Sequence, residues 1–264
     1  MNDLSFARAA EIIERMGHKT IVVYGDIMLD EFVWGSVTRI SPEAPVPVVD
    51  VQRESVNLGG AANVLANLIG LGARSCVVGL VGNDATGSRV RRELHAAGAV
   101  RVDETLVVDD ARPTTIKTRI IAHNQLVVRA DRERRTPAAA HIEDRLIEVL
   151  RHATEAADAL IISDYDKGAI TARVLAEILP LAARRRIPAL VDPKIRNFNA
   201  YQPATLVTPN HHEALRLTKS EDDSDEGIAA AARLIRQQLA CSSVLITRGE
   251  RGMMLLEVTA RPFM

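Results

Sequence analysis

Aromatic side chains are scarce in this sequence: Phe, Tyr and Trp together make up 3% of 264 residues. A core without large rings must be filled by Ala, Val, Leu and Ile. Hydrophobic residues at 47% supply enough of them for one large α/β domain or two small ones. No basic block interleaved with aromatics is present and the formal net charge is -1, so no nucleic-acid partner is expected. Cysteine is nearly missing too. Cys76 and Cys241 stand far apart within apolar runs, which predicts buried thiols in a reducing cytoplasm, not a disulfide. No apolar run has the length of a bilayer span, so no membrane partner is expected. The amphipathic start (Phe6, Ala9, Ile12, Ile13) lacks the apolar centre of a signal peptide.

The common catalytic signatures are missing as well. There is no P-loop; Gly17-His18-Lys19-Thr20 imitates its tail but precedes a strand-like run instead of following one. Neither a G-x-G-x-x-G fingerprint nor a G-x-S-x-G elbow occurs. His211 and His212 are adjacent, so their side chains are expected to diverge, and no third ligand stands at zinc spacing.

What is present is a rhythm of short apolar runs: 21–24, 76–81, 159–162, 189–191, 206–207 and 244–246, with helix-patterned stretches such as 86–97, 138–156, 171–185 and 226–240 between most of them. That alternation predicts βα units and a mostly parallel sheet covered on both faces. The runs end in Gly25-Asp26, Gly82-Asn83-Asp84, Ser163-Asp164, Asp192-Pro193-Lys194, Thr208-Pro209-Asn210 and Thr247-Arg248-Gly249. Ligands of parallel sheets bind beyond the carboxyl ends of the strands, so these polar endings together suggest one shared site. Two segments break the rhythm. About 30–52 and 113–131 carry strand-like residues without a following helix, which predicts hairpins forming a small lid, with Lys117 and Arg119 on one face by the period of two. Gly59-Gly60-Ala61-Ala62-Asn63 strips the chain of bulk where a helix begins, as a floor for a polar ligand requires.

Gly25-Asp26, Gly59-Gly60-Ala61-Ala62-Asn63, Asp192-Pro193-Lys194, Asn210-x-x-Glu213 and Thr247-Arg248-Gly249-x-x-Gly252 together resemble the PfkB/ribokinase family of carbohydrate kinases. Three further strings, Arg39 to Val48, Thr114 to Arg119 and Ser163-Asp164-Tyr165-x-Lys167-Gly168, resemble the branch that phosphorylates D-glycero-D-manno-heptose 7-phosphate at its anomeric hydroxyl. That branch serves ADP-heptose and lipopolysaccharide core synthesis. The match covers about residues 20 to 255. The resemblance implies a ribokinase-like three-layer α/β sandwich over 1–264, with a mostly parallel central sheet and a small β lid. It also implies ATP and Mg2+ as cofactors, a sugar-phosphate substrate, a cytoplasmic location and a homodimer formed through the lid, to which apolar Val46, Val48 and Ile116 would contribute.

By the same resemblance, Asp26, Gly59, Gly60 and Asn63 hold the sugar, with Asp164, Asp192 and Lys194 also on the substrate side. Lys117, Arg119 or Lys167 meets the sugar's phosphate. Asn210, His211, His212, Glu213, Thr247, Arg248 and Gly249 form the nucleotide side, Glu213 reaching magnesium through water. Plainer readings stand beside these. The glycines also suit tight helix packing, Asp26 and Asp192 suit strand-end turns, Glu213 suits a helix's first turn, and the three cations suit exposed surface. The acidic stretch Lys219 to Glu226 reads as a solvated loop into a helix.

The family's catalytic aspartate lies in a Gly-Ala-Gly-Asp string, and none occurs here. A C-terminally incomplete chain without that base, and without the helices that close over the nucleotide, is therefore expected, with no catalytic residue to assign. A fused nucleotidyltransferase domain is frequent in the heptose branch. Three readings remain: a sugar-phosphate kinase lacking its last part, a sugar or nucleoside kinase of another specificity, and a non-catalytic sugar-binding protein.

Overall fold

The computed structural model describes residues 5–257. In chain order the elements are α1 (Phe6–Met16), β1 (Thr20–Gly25), β2 (Ile27–Ile40), β3 (Pro47–Gly60), α2 (Ala61–Gly70), β4 (Arg74–Val81), α3 (Ala85–Ala96), α4 (Val102–Thr105) and β5 (Leu106–Val108). There follow β6 (Thr115–Ala122), β7 (Gln125–Arg132), α5 (Ala140–Ala153), β8 (Ala159–Ser163), α6 (Ala172–Arg184), β9 (Ala189–Asp192) and β10 (Leu206–Val207). The last are α7 (His211–Thr218), α8 (Asp225–Leu239), β11 (Ser243–Thr247) and β12 (Met253–Glu257).

Eight strands form the main sheet in the order β12-β11-β10-β9-β8-β1-β4-β5. Every neighbouring pair is parallel except β11 with β12. All six apolar runs read from the sequence are strands of this sheet. The period of two sorts their side chains between two cores. Val22, Tyr24, Cys76, Val78, Leu160 and Ile162 pack with α5, α6 and α8, while Ile21, Val23 and Val77 pack with α2 and α3. The result is a three-layer α/β sandwich. Both cysteines are buried and free.

The second sheet, β3-β2-β6-β7, consists of two antiparallel hairpins joined by parallel pairing of β2 with β6. Its first hairpin is longer than the 30–52 expected. Pairing runs from Ile27↔Gly60 out to Ile40↔Pro47, because β2 leaves the end of β1 with only Asp26 between them. The glycine floor is thus the foot of the lid hairpin. The second hairpin turns at His123 and Asn124, both at positive φ, a conformation that asparagine accepts more readily than most residues.

The two ends of the main sheet are covered unequally. Over β9 to β12, Val191, Val207, Val244, Ile246, Met254 and Leu256 are buried beneath helices, whereas Leu190, Leu206, Leu245 and Leu255 on the other face are only half-buried. No helix lies over that second face among the described residues. Leu160→Ala, at a fully buried site in β8, is therefore expected to lower unfolding free energy by about 3 kcal/mol. Leu190→Ala in the neighbouring strand should cost less than about half of that, and urea melts of the two variants provide the comparison.

Candidate active site

Parallel strands place their carboxyl ends along one edge, in the spatial order Thr247, Val207, Asp192, Ser163, Gly25. Four strand spacings separate β11 from β1, roughly 19 Å. The polar endings predicted from the sequence thus share an edge, with the lid rising from its β1 end.

The floor is sterically specified. A Cβ on Gly59 would lie 2.5 Å from the Asp30 carboxylate, and one on Gly60, at φ +58°, would lie 2.3 Å from the Asp26 carbonyl oxygen. At Gly60 the obstacle is backbone and φ is positive, so only glycine fits; at Gly59 a side chain would have to displace the Asp30 carboxylate and Met28. The Asp26 carbonyl then accepts the Ala61 N–H at 2.9 Å, which starts α2. Asn63, in the first turn of α2, is exposed, and its side chain makes no hydrogen bond among the described residues.

Asp26 itself departs from the expected role. It is buried, and its carboxylate accepts the N–H groups of Tyr165 (2.8 Å), Lys167 (3.0 Å) and Ala169 (3.0 Å) instead of facing open space. Asp164 departs in the same way. It is fully buried and accepts from Asn197 Nδ2, the Tyr201 hydroxyl and the Asp166 N–H, each at 2.7 Å. Both carboxylates organise the loop after β8. Lys167 is neither solvated nor open to a phosphate, since its Nζ lies 2.8 Å from Glu133 and only 10% of its side chain is exposed.

The carboxylate that does face the floor is Asp30, which the sequence reading did not single out. In β2, Asp30 Oδ1 accepts from Arg119 Nη1 at 2.6 Å, and the Arg119 guanidinium also stands 5.2 Å from the centre of the Phe32 ring. Lys117, opposite Asp30 in register, has no ion-pair partner among the described residues. The signal available was the alternation along β2. Asp26 and Asp30 bracket three buried apolar residues, and only Asp30 stands within a lid strand paired to the glycines.

Farther along the edge, Lys194 Nζ pairs with Glu213 Oε1. The other Glu213 oxygen accepts the Asn210 N–H at 3.1 Å, while Asn210 Oδ1 accepts the Glu213 N–H at 2.9 Å. This reciprocal capping box starts α7, so the plainer reading of Glu213 describes part of its geometry. Asp192 is half-buried beside this pair, and its pKa rises to about 6, chiefly through burial, with Glu213 and Asp164 adding repulsion against the pull of Lys194. Burial, followed by repulsion from Asp164, likewise lifts Asp26 to about 6 against its three hydrogen bonds.

At the far end, Asn210 bridges to Thr247, and the Thr247 N–H donates to the Pro209 carbonyl at 3.1 Å. Arg248 is buried with Nη2 2.7 Å from Asp225, so the acidic loop expected to be merely solvated supplies a charge to this end. Gly249 and Gly252 both adopt positive φ in a turn with open space around it. His211 and His212 do not diverge. Their rings pack with centroids 3.9 Å apart at the start of α7. The described residues contain no group of three or more His, Cys, Asp or Glu arranged to hold a metal ion.

The profile of pfkB family carbohydrate kinases matches residues 18–262. The chain belongs to this family. Among curated proteins it is 44% identical over 249 residues to a bifunctional protein HldE of Rhodopseudomonas palustris strain BisB18, and 42% identical over 248 residues to that of Bradyrhizobium sp. strain ORS 278. Each alignment takes in 93% of this chain and 50% of the relative, so the chain spans about half the length of these proteins. Two solved structures share the ribokinase-like fold. The tetrameric inhibited form of Escherichia coli phosphofructokinase-2 gives a TM-score of 0.72 at 18% identity, over 92% of this chain and 77% of that one. Arabidopsis thaliana ribokinase complexed with ribose and ATP gives 0.68 at 17% identity, over 93% and 77%.

Within this family member, the raised carboxyls have a consequence for stability. Asp192 holds a proton in the folded state up to about pH 6 that an unfolded chain releases near 3.8. Its contribution is therefore fully present below about pH 4 and is lost as pH rises through 6. Asp84 and Asp109, whose pKa values are lowered, pull the other way, so the comparison is made against a variant. Asp192→Asn should match wild type near pH 4 and be more stable by roughly 1 kcal/mol at pH 7.5, after allowance for partial exposure. Thermal melts at both pH values test this.

Proposed function

We propose that this chain is the sugar-phosphate kinase domain, over 1–264, of an enzyme that phosphorylates the anomeric hydroxyl of D-glycero-D-manno-heptose 7-phosphate in the cytoplasm. The observation that carries the reading is the Asp30 carboxylate standing directly over the Gly59-Gly60 floor, with Arg119 bonded to it and Lys117 opposite. A carboxylate accepts sugar hydroxyls, and two cations at the lid suit the substrate's phosphate. The heptose assignment is supported by the three sequence strings of that branch and by the HldE relatives.

The nucleotide is assigned to the Asn210, Thr247, Arg248 and Gly249 end, where His211 and His212 flank the start of α7. The residues fit a magnesium ion that arrives on ATP and keeps most of its waters, since no carboxylate cage exists among the described residues and Glu213 is already bonded to Lys194 and Asn210. When bound, such an ion neutralises phosphate charge in the transfer step. This chain's residues do the positioning, Asp30 and the glycines at the sugar and the turn at Gly249 at the nucleotide.

No Gly-Ala-Gly-Asp string supplies a base to remove the sugar's proton. We therefore expect calorimetry to register binding of heptose 7-phosphate, about tenfold weaker in Asp30→Asn, and a coupled assay to register no ATP-dependent turnover. Turnover above background would refute the inactivity. Binding of ribose or adenosine in place of heptose 7-phosphate would sink the substrate assignment.

The four-stranded sheet is read as a lid that also pairs two chains. Its edge strand β7 is exposed throughout, and Leu126, Val128, Ile40 and Val46 are 49–62% exposed. Exposed apolar edges favour pairing. Size-exclusion chromatography with light scattering should give a dimer, and Leu126→Lys with Val128→Lys should give a monomer.

A further inference from the structure

Tyr165 lies two residues beyond the end of β8, on a loop whose backbone is bonded to Asp26. Besides the three bonds to Asp26, the Lys167 carbonyl accepts from Arg112 Nη1 at 3.1 Å and the Gly168 carbonyl accepts the Ala138 N–H at 3.0 Å. Asp166 pairs with Arg196 at 3.1 Å, Lys167 pairs with Glu133, and the buried Tyr24 hydroxyl donates to the Ala169 carbonyl. Asp166 adopts φ +56°, a left-handed conformation that costs a non-glycine residue about 1 kcal/mol or more and persists where surroundings over-determine it. Almost every polar group of the loop is fixed by this network. The Tyr165 phenol is the exception. It is half-buried, with the buried Ser163 hydroxyl within reach, yet that hydroxyl makes no hydrogen bond of good geometry.

We propose that Tyr165 is a ligand-contacting residue of the sugar cleft and that Asp26 is the positioning residue that holds it there. This rests on the cleft being a sugar site. Register locates the loop. Ser163 ends β8 with Gly25 of β1 on one side and Asp192 of β9 on the other, and the Tyr165 N–H is bonded to Asp26, so Tyr165 leaves the centre of the carboxyl edge beside the start of the lid. Burial first, and then Asp192, raise its pKa, which leaves a neutral O–H to donate to a sugar oxygen. Asp26 carries its influence through the backbone, since its nearest bond to the loop is the N–H of Tyr165 itself.

The test combines binding with a ring signal. Protein labelled with 13C at the tyrosine ring gives three tyrosine resonances, and Tyr165→Phe identifies the one from Tyr165. Titration with heptose 7-phosphate, mannose 6-phosphate and ribose 5-phosphate is expected to move that resonance, and Tyr165→Phe to weaken heptose 7-phosphate binding about tenfold with an unchanged melting temperature. Asp26→Asn is expected to shift the Tyr165 resonance without ligand and to weaken binding in wild type but add little in the Tyr165→Phe background. A purely structural role would give additive losses. Equal binding by wild type and Tyr165→Phe overturns the inference. If no sugar phosphate binds, the kinase assignment falls, and the ligand-free Asp26→Asn spectrum decides the positioning: an unmoved Tyr165 resonance overturns it.

Discussion

The architecture of the cleft depends on one buried carboxylate and the backbone around it. Asp26 donates its N–H to Ser163 at 3.2 Å, gives its carbonyl to Ala61, and gathers three N–H groups of the loop after β8 on its carboxylate. One residue therefore joins the central sheet, the helix that starts at the floor and the loop that walls the cleft. Burying a charge is expensive unless hydrogen bonds replace water. Here three backbone donors do so, and the rise of the pKa to about 6 records how incomplete the compensation is. Close packing at this junction explains the glycines as well. A Cβ on Gly25 would lie 2.3 Å from the Ser163 carbonyl, so β1 can lie against β8 there only without a side chain.

The sheet was legible in the sequence because its strands are short, apolar and separated by helices of ordinary length. The strands that escaped notice were β5, three residues long, and β12, which follows β11 through a tight glycine turn and reverses direction. The hairpins were legible from alternation, but their lengths were not, since nothing local to Asn57-Leu58-Gly59-Gly60 shows that it pairs with residues 27–30. Site residues were legible as positions and not as partnerships. Asp26 looked like a ligand because Gly25-Asp26 resembles a motif of the family, whereas its geometry is set by N–H groups 139 to 143 residues later. Lys167 looked free because Glu133, its partner, lies in another element. Spacing fixes a side chain's face; the charge that meets it comes from a distant segment.

Charge in the cleft is arranged as neighbouring opposites. Asp30 has Arg119, Lys194 has Glu213, and Arg248 has Asp225. Such pairs in partly buried settings hold their members in place more than they stabilise the fold. Lys117 makes no ion pair among the described residues, although it lies in register with Asp30 on one side and Asp131 on the other, and Asp192 lies near Lys194, which is paired with Glu213. An incoming anion at the lid and a cation at the strand ends would each find an opposite charge.

The unequal layering of the sheet follows the same division. From β8 to β5 the sheet has helices on both faces, α2 and α3 among them, and the glycine floor comes from this doubly covered part. From β9 to β12 one face is packed against helices while Leu190, Leu206, Leu245 and Leu255 line the other half-buried. The β1 end is thus held by a closed core, so its glycines and carboxylates can be placed to within the tolerance that close contacts impose. Among the described residues the β11 end is packed against helices on one face, with the capping box at α7 and the turn at Gly249 beside it. The two ends of this edge therefore differ in how firmly the layers around them hold their side chains.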